Sequence, residues 1–329
     1  MLSVTDRNVS ALSAIKLQAA GWPFIMDQFG NGAKMKYYSL NDYLRDTFGE
    51  KVYKIALDGG FTCPNRDGTL DTRGCIFCSG AGSGEFAGGA GDSVTAQIEK
   101  GKERVKEKIK GGKYIAYFQA FTGTYAPVEK LRKLYEEAIS HPDIVALSIA
   151  TRPDCLPEDV LSLLQEMNRR KPVWVELGLQ TIHEKTAQYI RRGYPLSIYD
   201  EAVEKLKGIG VQVIVHVILG LPGESEEDMK ETVSYVGKSG ADGIKLQLLH
   251  VLRGTDLERE YWEGKVRVME MEEYVNLVAD CIALLPERMV IHRMTGDGDK
   301  KTLIAPEWSK DKKRVLNALR RAIKEKERG

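Results

Sequence analysis

Three of the five cysteines in this 329-residue chain, Cys63, Cys75 and Cys78, stand together in a C-x11-C-x2-C spacing. Asp, Asn and Gly dominate the residues between them; Gly59 and Gly60 precede, and a glycine-rich tail covers 80–91. Such a composition cannot bury a core of its own, so it reads as a loop ordered by what it grips. Three thiolates on one loop are a soft ligand set, which suits zinc or an iron–sulfur cluster. A closed zinc site needs a fourth protein ligand, and no other Cys or His lies within about thirty residues on either side. A 4Fe–4S cluster with three thiolates would instead leave one iron open to a small molecule. A zinc or disulfide loop stays as the alternative.

The elements that must hold this loop are rhythmic. Apolar, strand-like runs fall at 52–57, 114–118, 144–150, 173–179, 211–219 and 244–249, with helical patterns at 39–48, 93–109, 128–139, 157–169, 197–209 and 225–238. Strands apolar on both faces, alternating with amphipathic helices, predict a parallel sheet covered by helices. Right-handed crossovers allow either a barrel or an open doubly wound sheet, and the pattern alone does not choose. In either, chemistry belongs at the carboxyl ends of the strands, and the cysteine loop directly follows the first. After 251 the pattern changes: 261–273 is charged, 274–285 is an amphipathic helix carrying Cys281 as core, and 289–294 is strand-like.

Composition narrows the class. With 43% hydrophobic and 29% charged residues there is ample core, and a net charge of +1 gives no global field for nucleic acid or membrane. No apolar run approaches the roughly 20 residues of a membrane span. An odd cysteine count with three clustered predicts a reducing, cytoplasmic location. Residues 1–35 read as an N-terminal extension ahead of a second methionine, Met35, an alternative natural start. Residues 310–328 hold nine Lys or Arg against three Asp or Glu; they read as a terminal helix, solvated or in contact with phosphates.

The cysteine loop and the opening KVYKIALDGGFTCPNRDGT resemble the radical S-adenosylmethionine (SAM) superfamily. Within it the chain looks like the YhcC/YtqA-type branch, related to the Elongator catalytic subunit. The first cysteine gap is longer than the superfamily's usual C-x3-C-x2-C. The resemblance implies an α/β fold: a partial (β/α)6 TIM-like barrel over 36–252, with a cysteine loop after the first strand. A C-terminal α/β extension, 253–329, would close the barrel.

The same resemblance implies site residues. Cys63, Cys75 and Cys78 would hold a 4Fe–4S cluster. The segment of Gln119, Phe121 and Thr122 resembles the one whose carbonyls hold the amino group of SAM. Glu176 and Gln180, in VELGLQT, are candidates for its ribose or amine, and Arg192 for its carboxylate. Gly220, Leu221 and Gly223 of GLPGES, with Ile218 before them, resemble the adenine-contacting turn. Arg152, held extended by Pro153, would point into the mouth, whereas His216 reads as a satisfied core histidine. Cys155 is a candidate hydrogen-atom donor or extra ligand, Gln247 an inward residue of the sixth strand, and Arg293 part of an Arg-x-Thr-Gly-Asp segment that reaches the substrate.

The activity implied is reductive cleavage of SAM to a 5′-deoxyadenosyl radical that takes a hydrogen atom from the substrate. It needs a low-potential electron donor such as a flavodoxin or ferredoxin. The branch points to tRNA, at the C5 side chain of the wobble uridine. A radical enzyme acting on a small molecule or peptide, and a non-catalytic iron–sulfur or zinc module, are the alternatives.

Overall fold

The computed structural model describes residues 37–327 except 83, 85, 86, 90, 109–111 and 297. The N-terminal extension 1–35, Asp297 and Arg328 lie outside them. In chain order the elements are β1 (Tyr38–Ser39), α1 (Leu40–Phe48), β2 (Tyr53–Leu57), α2 (Val94–Val105), β3 (Tyr114–Phe118), α3 (Val128–Ser140), β4 (Ile144–Thr151), α4 (Glu158–Arg170), β5 (Val173–Gln180) and α5 (Glu184–Tyr189). There follow α6 (Leu196–Gly208), β6 (Gln212–Leu219), α7 (Glu226–Lys238), β7 (Gly243–Leu248), β8 (Val251–Leu252), α8 (Asp256–Trp262), α9 (Met271–Ala283), β9 (Val290–Arg293), β10 (Leu303–Ala305) and α10 (Lys312–Lys326).

Eight strands form one sheet in the order β1-β9-β7-β6-β5-β4-β3-β2, parallel throughout. The sheet curls into a half-barrel, and helices cover its outer face. The reason is in the strands: all five residues of β3, YIAYF, are buried, so both faces need cover. α4 supplies part of it with Val160, Leu161, Leu163, Leu164 and Met167, each contributing about 1.5–3 kcal/mol on burial. Helix starts follow their caps: Ser39 and Ser93 each accept from the backbone three residues on, and Ser225 forms a capping box with Asp228.

Six strands are the expected βα units. Two more extend the sheet, because β9 pairs with β7 and β1 pairs with β9. The region beyond Leu252 therefore contributes a strand to the barrel itself. It also places β10 antiparallel to β8 and covers α9 with α10. α5 and α8 are helices the periodicity did not signal; six or seven residues are too few to show an amphipathic repeat.

Candidate active site

The long gap between Cys63 and Cys75 folds back on itself. Leu70 N–H and Asp71 N–H bond Pro64 O, and Gly74 N–H bonds Asn65 O at 2.7 Å, so the two cysteines return to one place. Cys78 N–H then bonds Cys75 O at 3.0 Å. Arg66 ties the turn by donating to Cys78 O and Ser79 O at 2.9 and 2.7 Å. Gly74, at φ +76°, leaves that guanidinium room, since a Cβ there would meet it at 2.9 Å. From below, Ile76 packs with Ile190, Ile218, Leu221, Leu249 and Leu257. This apolar patch is what grips the loop.

Asn65 is 2% exposed and joins the loop to the end of α5. Its amide donates to Arg191 O at 2.7 Å and approaches Cys75 Sγ at 3.5 Å. The same carbonyl faces Cys75 Sγ at 3.6 Å. Burial, then the neighbouring Cys78, push the Cys75 thiol up to about 12, although Arg152 works against them. A bound cation would remove that penalty, because a coordinating thiol is deprotonated outright.

The loop lies over a pocket of about 260 Å³ at the carboxyl ends of the strands. All three cysteines line it, as do Gln119, Phe121, Thr122, Arg152, Glu176, Gln180, Arg192, Ile218, Gln247 and Arg293. Among the described residues, three that are not glycine have left-handed backbone: Phe121 (φ 55°), Gln180 (φ 70°) and Arg191 (φ 57°). The first two line the pocket and the third presents its carbonyl to Cys75, so costly conformations gather around this one place. Gln180 Oε1 is buried and has no hydrogen-bond partner among the described residues, which leaves an acceptor for a ligand donor.

The arginines differ. Arg152 makes a bidentate pair with Asp154 at 2.9 and 2.7 Å and lies over the Tyr194 ring. Arg192 is committed to Tyr194 O at 3.0 Å, Thr181 O at 2.5 Å and Glu184 at 2.9 Å. Its guanidinium fixes the loop after α5, and little of it is left for a ligand carboxylate.

Four expected residues are not brought to the pocket. Cys155 is buried with its thiol beside Asp154 Oδ1 at 3.7 Å, and burial raises it. Leu221 is spent on the apolar patch under the cysteine loop. Gly220 faces Met269. Gly223, at φ +84°, has nothing within 4 Å of a built Cβ; the turn's backbone conformation, and no close approach, calls for glycine there.

The floor of the pocket is a polar layer that the sequence only partly signalled. Glu176, 0% exposed, accepts from Lys54 Nζ at 2.5 Å and Ser148 Oγ at 2.8 Å on one oxygen. Its other oxygen accepts from Tyr117 Oη at 2.9 Å and Lys245, and pairs with His216 Nε2 at 2.8 Å. Burial alone would raise this carboxyl, but Lys245, Lys54 and His216 outweigh it and hold it well below the usual range. Burial, partly opposed by Glu176, drops Lys245 to about 7. Burial and then Lys245 drop His216 to about 4. A single polar residue in an otherwise apolar strand, such as Tyr117 in YIAYF or Ser148 in IVALSIAT, was the available signal.

At the opposite rim, Gly298 N–H donates to His250 Nδ1 at 3.1 Å, so the neutral ring carries its proton on Nε2. That nitrogen is buried without a partner among the described residues. Cβ atoms at Gly296 and Gly298 would come within 2.3 and 2.6 Å of the ring, which is why this rim segment is built on glycine.

Three thiols gathered at one pocket are a soft donor set that fits an iron–sulfur cluster.

A curled parallel half-barrel with a three-thiol loop over its carboxyl-terminal mouth defines the class: barrel enzymes that work at the strand ends. The chain belongs to the radical SAM superfamily, which it matches over residues 72–236, and it matches the Radical_SAM C-terminal domain over 241–325. The family's cofactors are a 4Fe–4S cluster and S-adenosylmethionine. The chain is 49% identical to the uncharacterized protein YtqA of Bacillus subtilis over 89% of its length and 91% of that protein. It is 26% identical to the tRNA uridine(34) acetyltransferase of Methanocaldococcus jannaschii, over 52% of this chain and 31% of that one. Among solved structures it is similar to the archaeal Methanocaldococcus infernus Elp3 (TM-score 0.61, 17% identity), covering 82% of this chain and 63% of that one. That likeness is one of fold.

Proposed function

We propose that this chain is a SAM-cleaving radical enzyme that modifies the C5 side chain of the tRNA wobble uridine. When bound, the cluster supplies the electron that splits SAM to methionine and a 5′-deoxyadenosyl radical. The observation that carries the reading is the convergence of Cys63, Cys75 and Cys78 on one loop over a pocket closed by a polar floor. In this reading the three cysteines hold the cluster, with Asn65 and Arg66 fixing their loop. Gln180 offers its orphaned Oε1 to a SAM donor group, and Arg152 holds positive charge beside the thiols. The strand-end residues Gln119, Phe121, Thr122, Ile218 and Gln247 line the cofactor and substrate space, and Arg293 stands at the ninth strand's end. A bound substrate closing the mouth would keep water from a reactive carbon radical.

The RNA part is supported by the partial likeness to a tRNA uridine(34) acetyltransferase. A second support is the exposed basic face of α10, carrying Lys313, Arg314, Arg320, Arg321 and Lys324. Two experiments test the whole. Anaerobic reconstitution with iron and sulfide should give a cluster whose spectrum shifts on adding SAM; bound zinc with no response to SAM would favour the interaction module. Nucleoside mass spectrometry on tRNA from a strain lacking this chain should show loss of a modified wobble uridine. An unchanged nucleoside profile, with SAM still cleaved by the enzyme, would turn the substrate to a small molecule or peptide.

A further inference from the structure

Among the described residues, the one carboxylate of the pocket floor has no acceptor position to spare. Glu176 already receives Lys54 and Ser148 on one oxygen and faces Tyr117, His216 and Lys245 on the other, which fills the roughly four acceptor positions of a carboxylate. It has no capacity left for a substrate N–H or O–H. Tyr117 spends its proton on Glu176 and accepts from Lys245 Nζ at 3.2 Å. Lys245 has three ammonium protons; Glu176 and Tyr117 are its two partners among the described residues, and its side chain lines the pocket.

Charge points the same way. Two ammonium groups, Lys54 and Lys245, share the single carboxylate Glu176, which is the only carboxylate among the described residues lining the pocket. His216 beside it is neutral near pH 7. With both lysines protonated the floor would carry one positive charge more than it balances, at low dielectric where that is costly, and Lys245 falls to about 7 in response. The layer is also built: His216 stands opposite Lys245 across β6 and β7, and Lys245 opposite Arg293 across β7 and β9.

We infer that Lys245, held by Glu176 and Tyr117 at the pocket floor, binds an anionic group of the substrate, a carboxylate or a phosphate. The group that enters accepts the third Lys245 proton and neutralises the surplus charge. This goes beyond the tRNA reading and holds whether the modified molecule is RNA or small. It also gives the fall of Lys245 to about 7 a use. An arriving anion restores the ammonium, so binding takes up a proton and weakens as pH rises past 7. The groups facing Lys245 are Lys54 from β2, Tyr117 from β3, Glu176 from β5, His216 from β6 and His292 and Arg293 from β9.

The test uses the reconstituted, SAM-saturated enzyme under anaerobic conditions, so the SAM carboxylate site is already filled. Sodium acetate and inorganic phosphate are titrated separately, with acetate followed by saturation-transfer proton NMR and phosphate by phosphorus-31 line broadening. Iron content and a melting curve accompany each variant. The expected result is that one anion binds wild type and binds K245M at least tenfold more weakly. Acetate binding assigns a carboxylate and phosphate binding a phosphate. K245R, whose charge does not titrate here, should bind at pH 9 as at pH 7, whereas wild-type affinity should fall about tenfold or more over that range. The proposal is overturned if neither anion binds wild type, or if K245M binds as wild type does. Should K245M not fold, the pH arm decides: a pH dependence in K245R equal to that of wild type would overturn it.

Discussion

Replacing Arg320, Arg321 and Lys324 with alanine removes three exposed charges from α10 and leaves its packing alone. The helix buries Val315, Leu319, Ala322 and Ile323 on the opposite face, against α9. Deleting it would therefore strip four apolar side chains, about 5–10 kcal/mol of burial, and confound binding with unfolding. The triple substitution avoids this: surface changes of this kind stay within about 0.5 kcal/mol each. If the three residues contact tRNA phosphates, each lost contact lowers the slope of log affinity against log salt by about 0.7–0.9, so the slope should fall by about 2–2.7 in magnitude. Over a fourfold rise in salt, wild type would then lose roughly 20–40-fold more affinity than the variant. Filter binding of tRNA at 50, 100 and 200 mM salt (about the range over which such slopes are read), with melting curves alongside, measures this. An unchanged slope in a stable variant would refute a role for this helix in RNA contact.

Three further outcomes follow from the site. Cys63→Ala, Cys75→Ala and Cys78→Ala should each abolish both iron loading and SAM cleavage, while Cys155→Ala and Cys281→Ala keep the iron content; a loaded Cys75→Ala protein would sink the ligand assignment. Asn65→Ala leaves Arg191 O without its buried donor, at a cost of about 1–3 kcal/mol; urea unfolding should show that loss, and iron uptake should slow because Cys75 is no longer held against α5. In the SAM-free protein Lys245 titrates near 7 when folded and about 10.4 when unfolded, so the unfolded chain binds more protons between those values. Its contribution makes stability rise as pH goes from 7 towards 10. K245M should flatten that rise in denaturant melts, and an identical pH profile in the two proteins would contradict the assignment.

The alternation of buried strands with amphipathic helices was legible in the sequence because each signal is local. β3 begins and ends where its apolar run does, and α1 starts at its Ser39 cap. The cysteine loop was legible for the same reason, since three thiols within sixteen positions need no fold to be noticed. What the sequence could not reveal is which buried side chains meet. Asn65 reaches Arg191 across 126 positions, and Lys54 reaches Glu176 across 122. Periodicity says that a residue faces inward; cross-strand register and sheet curl decide what it faces. For that reason Lys54, Tyr117 and Ser148 join Glu176, His216 and Lys245 in one floor, although each alone is a stray polar residue in an apolar run. For the same reason Leu221 packs beneath the cysteine loop and Cys155 lies beside Asp154, both away from the pocket. β9 was legible as the strand-like run 289–294, but β1 has two residues, and only the pairing of β9 with β7 and of β1 with β9 makes the two part of the barrel.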